Sequence, residues 1–319
     1  MEQTTVIESD GSCMSTEITY KAFGENAAPA VTQAKAALLR LENILSRFIP
    51  GSEVSVINKN AGKGYVNISS ETFEVLSCAS RISEISGGLF DITVGPLIDL
   101  WNYKHSFQVP EDEKIRHILS LVNYRDLMLN SDEQSASLRR PEQSIDLGGI
   151  GKGYASDCLV KTLQKYGVVS AFVNIGGNVS TLGNKPDGSS WSVGIRHPRH
   201  DGYLIGAVKV TGQAVVTSGD YERYFIDGTG KRRHHIINPT TGYPVESGLI
   251  SVTVVADSAM IADGLSTAIF AADMDKGLGY LTYFPGVDVV LVDNHQRVFI
   301  TRGLKEIYQT IEGIDVIVI

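Results

Sequence analysis

The chain has 319 residues, 43% hydrophobic and 20% charged, with a formal net charge of −8. That is ample apolar material for a buried core, and an acidic chain without a Lys/Arg block is excluded as a grip for a nucleic-acid backbone. The three cysteines stand far apart with no CxxC pair, which argues against a disulfide framework or a zinc site. No run of about 18 apolar residues occurs, so no membrane-spanning helix is expected.

The opening MEQTTVIESDGSCMSTE is acidic and polar, with neither a basic n-region nor an apolar h-region. The expectation is a cytoplasmic protein; an exported chain with its leader removed would read the same. In PAVTQAKAALLRLENILSRF, Val31, Ala34, Leu38, Leu41 and Leu45 recur at helical spacing, and Pro29 suits a first turn. Ser46, Arg47, Phe48, Ser52 and Glu53 then form a helix-to-loop exit. A second helix is expected from Ser70 to Ser86, stopped by Gly87-Gly88. EDEKIRHILSLV is a third, with its acids in the first turn.

Further along, a helix is expected from Tyr154 to Tyr166. VVSAFVNIGG, WSVGIRHP, YLIGAVKV, GQAVVTSG and LISVTVVAD have strand composition, as do VDVVLVD, RVFITRG and IDVIVI near the end. DSAMIADGLSTAIFAAD has helical periodicity. There is no internal repeat and no Pro/Ser-rich linker. Helices in front and strands mixed with helices behind predict an α+β fold in one domain over residues 1–319, as two intimately joined lobes.

Four stretches carry chemistry. In Asp146-Leu147-Gly148-Gly149-Ile150-Gly151-Lys152-Gly153, Asp146 stands where a Walker A loop needs Gly, and Gly153 where it needs Ser or Thr. The spacing also fails the Rossmann fingerprint. Glycines before a helix, with a lysine, still offer backbone N–H groups and a charge to an anion; the plain alternative is a tight turn with a solvated lysine. Asp263 and Thr267, four apart on a helix, share one face and present two hard oxygen ligands suited to Mg²⁺, or else an ordinary surface pair.

His234 and His235 precede the turn Asn238-Pro239-Thr240-Thr241-Gly242; a histidine there can act as a base, bind phosphate, or be merely structural. TSGDYERYF offers Thr217, Ser218 and Gly219 as a small polar turn, and Tyr221 to stack on a ring or fill a core. In GGLFDITVGPLIDLW, Phe90-Asp91 fits the wall and edge of a planar heterocycle, or a buried Phe beside a capping Asp.

Taken together and in order, LSRFIPGSEVSVIN, GGLFDITVGPLIDLW, IDLGGIGKGYASD, VNIGGNV, TSGDYERYF, HHIINPTTGYP and ADGLSTAIF resemble the ApbE family of FAD:protein FMN transferases, from about Met14 to about Ala272. The resemblance implies an α+β fold with a T-fold-like core of antiparallel sheet and packed helices. It implies Mg²⁺-dependent transfer of the FMN half of FAD to a threonine hydroxyl of an acceptor flavoprotein, with AMP released. On this resemblance Asp263, Thr267 and the carbonyl of Gly149 are the metal ligands and His235 is catalytic. Met14, Leu89, Phe90, Asp91, Asp146, Lys152, Gly176, Gly177 and Ile237 border FAD.

The implied acceptor pattern is D-x-x-[ST]-x-[AS]-T. The internal look-alike starting at Asp263 ends in Ile269, so an external partner is expected. Two departures are mild: Asn238 where the family often has Asp, and Gly151 where it often has Ala. The same site with water as nucleophile would be an FAD pyrophosphatase, and a site without chemistry would be an FAD-binding protein.

Overall fold

In the computed structural model, which describes residues 6–103 and 105–319, nine strands form one sheet whose spatial order is also their order along the chain. They are β1 (Val6–Cys13), β2 (Thr16–Phe23), β3 (Ser170–Ile175), β4 (Asn178–Leu182), β5 (Ala214–Gly219), β6 (Leu249–Ala256), β7 (Asp288–Asp293), β8 (Val298–Ile300) and β9 (Val316–Val318). All neighbours are antiparallel except β8 and β9. The expected α+β class is therefore present. The stretch read for a leader begins with residues 1–5, which lie outside the described residues.

Between β2 and β3 the chain forms α1 (Ala27–Leu45), α2 (Glu53–Lys59), α3 (Ser70–Ser86), α4 (Gly95–Trp101), α5 (Asp112–Leu119) and α6 (Gly151–Lys165). Between β6 and β7 lie α7 (Ala259–Ala271) and α8 (Met274–Tyr280). Local signals set several of these bounds. The Ser69 side chain accepts a hydrogen bond from Thr72 N, and Gly87 at φ 63° closes α3 in the left-handed region.

The sheet is covered on both faces. On one side Leu38 and Leu41 of α1, Ile82 of α3, Leu159 of α6 and Leu265 of α7 pack against Val252 and Val254. On the other, a three-stranded sheet of Trp191–Arg196, Leu204–Val210 and Tyr308–Thr310 packs its Trp191, Val193 and Val208 against Val215 and Val255. Neighbours Val254 and Val255 go to opposite cores, as successive side chains of a strand must. All eight residues of β6 are buried, which explains why LISVTVVAD is a continuous apolar run rather than an alternating one.

Some elements differ from expectation. β2 and β4 were not predicted; β2 buries Ile18, Tyr20 and Ala22 in period two, a pattern broken up by its polar partners. α6 starts at Gly151 and not at Tyr154, so the glycines expected in a loop form the first helical turn. Packing overrides their poor helix propensity: a Cβ on Gly153 would lie 2.2 Å from the carbonyl oxygen of Ala259, so only glycine lets α6 and α7 approach this closely.

Candidate functional site

The close approach of α6 to α7 creates the centre of the site. Asp263, buried in α7, accepts a hydrogen bond from Gly153 N at 2.9 Å through Oδ2. Its Oδ1 lies 3.6 Å from Lys152 Nζ, and that ammonium also donates to Gly148 O at 3.0 Å. One turn further along α7, Thr267 Oγ1 lies 3.2 Å from Ser218 Oγ. A Cβ on Gly149 would begin 3.4 Å from Thr267 Oγ1, so the glycine turn and the two α7 oxygens are neighbours. Ser218 comes from the end of β5, so TSG closes the strand expected of GQAVVTSG and is not the alternative small turn. Asp157, one helical turn beyond Gly153, receives Ser258 Oγ, Ala259 N and Met260 N, which clamps the start of α7 to α6.

These groups open into a cavity of about 730 Å³, within the range of small-molecule sites. One wall is built by two hairpin turns at the same end of the sheet. Met14 and Ser15 join β1 to β2, and Gly176 and Gly177 join β3 to β4. Gly176 has φ 55°, and a Cβ there would meet Thr16 Oγ1 at 2.1 Å. Gly151 is less constrained: a Cβ would make ordinary contacts of 3.6 and 3.7 Å with Leu147 and Met14, so alanine fits, as the resemblance allows.

Leu89, Phe90 and Asp91 form another wall. Phe90 is buried, and Asp91 Oδ1 accepts from Thr93 N and Oγ1, both at 2.7 Å. Asp91 therefore braces its own loop as well as lining the cavity. Burial pushes its carboxyl up to about 6. Asp146 is occupied as well. Its Oδ1 accepts from Gly148 N at 2.7 Å and its Oδ2 from Arg47 Nη1 at 3.2 Å. Arg47 also reaches Asp99 at 2.5 Å and the Gly95 carbonyl, tying α4 to the glycine turn. In the sequence Arg47 belongs only to a helix-to-loop exit; its partner Asp146 lies 99 residues away, and no local signal announces that pair.

The two histidines have separate fates. His234 is buried, with Nε2 donating to Val245 O at 2.9 Å and Nδ1 accepting from Ile236 N. It is a structural residue. His235 lines the cavity, and its Nδ1 lies 3.3 Å from Arg223 O. Because a carbonyl only accepts, Nδ1 carries the proton there and Nε2 keeps the lone pair. Burial first, then repulsion from Arg223, His234 and Lys152, pushes the ring down to about 3. Ile237 lines the cavity, while its side chain belongs to an apolar cluster with Trp101, Leu97 and Phe225. Trp101 Nε1 donates to Gly242 O at 2.8 Å, which docks the Asn238–Gly242 turn on α4. Asn238 Oδ1 accepts from Thr240 N and Oγ1, a role an aspartate oxygen would fill equally.

Asp263, Thr267, Gly149, His235 and the residues read as bordering FAD thus line one cavity, whereas His234 and Asn238 do not. The arrangement offers hard oxygen donors beside a lysine at the positive end of a helix and a neutral imidazole, a set suited to a phosphate-bearing ligand. A family model, the ApbE family, matches residues 14–291. An FAD:protein FMN transferase of Klebsiella pneumoniae (strain 342) is 34% identical over 290 residues, covering 90% of this chain and 89% of that protein. One from Treponema pallidum (strain Nichols) is 32% identical, covering 87% and 80%. The crystal structure of the ApbE protein from Thermotoga maritima superposes with a TM-score of 0.87 at 30% identity, over 95% of this chain and 99% of that one. The flavin transferase ApbE from Vibrio cholerae gives 0.86 at 26% identity, over 96% and 100%. The fold agrees over nearly the whole length, and the matched segment runs through every stretch that lines the cavity: the chain belongs to the ApbE family.

Proposed function

We propose that this protein transfers the FMN half of FAD to a threonine hydroxyl of an acceptor flavoprotein and releases AMP. The observation that carries the reading is the meeting of Asp263, Thr267 and the Gly148–Gly153 turn in one cavity. The acceptor oxygen forms a bond to the FMN-side phosphorus, the anhydride bond to AMP breaks, and the hydroxyl proton leaves to a base. His235 is neutral, with Nε2 free to take that proton; general-base catalysis is worth about 10²–10⁴ in rate when the pKa lies near the working pH, and a ring held down to about 3 contributes at the weak end of that span. Lys152 and the first turn of α6 hold the diphosphate, whose charge suits an ammonium and a helix start.

The donor set fits Mg²⁺. A carboxylate, a hydroxyl and a backbone carbonyl are hard oxygen ligands; Asp263 and Thr267 carry the first two one turn apart on α7, and the Gly149 backbone beside Thr267 would supply the third. When bound, the ion offsets charge that builds on the phosphate oxygens. The partner is an external protein bearing D-x-x-[ST]-x-[AS]-T, because the internal look-alike lies within α7 and its Asp263 and Ser266 are buried.

The test is to incubate the protein with FAD, Mg²⁺ and an acceptor domain and to weigh the acceptor. A mass gain equal to FMN, absent when the acceptor threonine is alanine, is expected. FMN and AMP formed at the same rate without acceptor would replace transfer with hydrolysis. Bound FAD left intact would leave only binding.

A further inference from the structure

Both residues of the β1–β2 turn, Met14 at φ 54° and Ser15 at φ 59°, lie in the left-handed region. A type I′ hairpin turn demands this at both of its central positions, which is why glycine and asparagine usually fill it. The neighbouring β3–β4 turn meets the same demand with Gly176 at φ 55° and Gly177 at φ 92°. The first turn carries two side chains and retains the strain. Backbone strain of this kind persists only where the surroundings over-determine it.

What holds the turn is a carboxylate from α1. Glu42 Oε1 accepts a hydrogen bond from Met14 N at 2.6 Å, and Oε2 accepts one from Cys13 Sγ at 3.0 Å. Both oxygens are spent on the turn. The flanking Leu38, Leu41 and Leu45 are buried, so Glu42 reaches out from a helix fixed in the core. Burial, and then Glu42, pushes the Cys13 thiol up to about 12, which keeps it a donor. The held turn puts the Met14 side chain into the cavity wall beside α6: a Cβ on Gly151 would lie 3.7 Å from Met14 Cε.

We propose that Glu42 is a positioning residue for flavin binding, holding a strained turn so that Met14 stands against the ligand. The inference rests on the reading of Met14 as a border of the flavin nucleotide. It assigns Glu42 no contact with the reacting atoms, so its loss acts on affinity and leaves the chemical step alone.

FAD affinity and turnover are measured for the full chain carrying Glu42→Ala, Glu42→Gln, Met14→Ala, and Glu42→Ala with Ser15→Gly. Glu42→Ala is expected to weaken FAD binding about tenfold, with kcat at saturating FAD kept within about twofold. Adding Ser15→Gly recovers most of the affinity, because glycine adopts the turn without being held. Glu42→Gln, which keeps an acceptor for Met14 N, falls between and replaces the alanine variant if that one does not fold. Equal weakness with and without Ser15→Gly would overturn the proposal, since Glu42 would then act on the ligand directly. A weak Met14→Ala beside an unaffected Glu42→Ala would sink the Glu42 role and keep that of Met14. An unaffected Met14→Ala would sink both.

Discussion

The carboxylate of Asp263 on α7 accepts a hydrogen bond from the backbone N–H of Gly153 on α6 at 2.9 Å, and the two residues are 110 positions apart. This bond satisfies one of the N–H groups that a helix start leaves without an intrahelical partner. It also fixes one oxygen of a buried carboxylate while the other faces the cavity and Lys152. The close packing of the two helices is therefore also the geometry of the site.

Gly153→Ala should separate the helices. Its Cβ would meet Ala259 O at 2.2 Å and Asp263 Cβ at 2.7 Å, and backbone atoms cannot rotate away. Overpacking of this kind costs about 1–3 kcal/mol. Denaturant unfolding should show that loss, and flavin transfer should fall further than stability does because Asp263 moves with α7.

Asp263→Asn separates charge from packing. An amide oxygen can still accept from Gly153 N, so the thermal midpoint should change little. Transfer should fall by about 10² or more, in keeping with several kcal/mol of lost charge stabilisation. Chelation of divalent ions should halt turnover in the native protein, and added Mg²⁺ should restore it. A rate insensitive to chelator would remove the metal from the reaction.

Asp157→Ala takes away the acceptor for Ser258 Oγ at 2.7 Å, Ala259 N at 2.7 Å and Met260 N at 3.1 Å. Loss of such a cap costs about 0.5–2 kcal/mol. The unfolding free energy should drop by that amount, with a higher KM for FAD because the start of α7 is no longer clamped to α6. Asp157→Asn should recover part of both.

Two groups should give opposite stability slopes at mildly acid pH. The folded state holds His235 down to about 3 against an ordinary 6.5. Between those values the unfolded chain binds the extra proton, so this contribution is complete above 6.5 and drains as pH falls. Asp91, held up to about 6 against an ordinary 3.8, favours the fold at low pH and loses that contribution as pH rises through 6. His235→Gln should flatten the acid-side fall in Tm, and Asp91→Asn should flatten the opposing trend. A transfer rate with a histidine limb near 6.5 that vanishes in His235→Gln would contradict a neutral, desolvated ring.

Much of the fold was legible. The helix of residues 70–86 has its stop in Gly87, and LISVTVVAD was readable as a strand, though only the structure shows it buried on both faces. The Asp263/Thr267 spacing on one helix was readable because i and i+4 share a face. What stayed hidden depended on distant partners. Ser218 beside Thr267, Arg47 on Asp146 and Glu42 under the Met14 turn join segments from separate parts of the chain. The start of α6 was misplaced because glycine is a poor helix former until a packed neighbour leaves no room for anything else.

The amino-acid order by itself determined the periodic elements, their caps and the motifs of an ApbE family chain, because each is written within a few consecutive residues. Tertiary structure alone decided that the nine-stranded sheet runs in chain order, that α6 and α7 touch at Gly153, and that His235 faces the cavity while His234 turns into the core. The reason is physical: a side chain's type sets which bonds it can make, but its partner and its contact with water are set by segments that meet only when the chain packs.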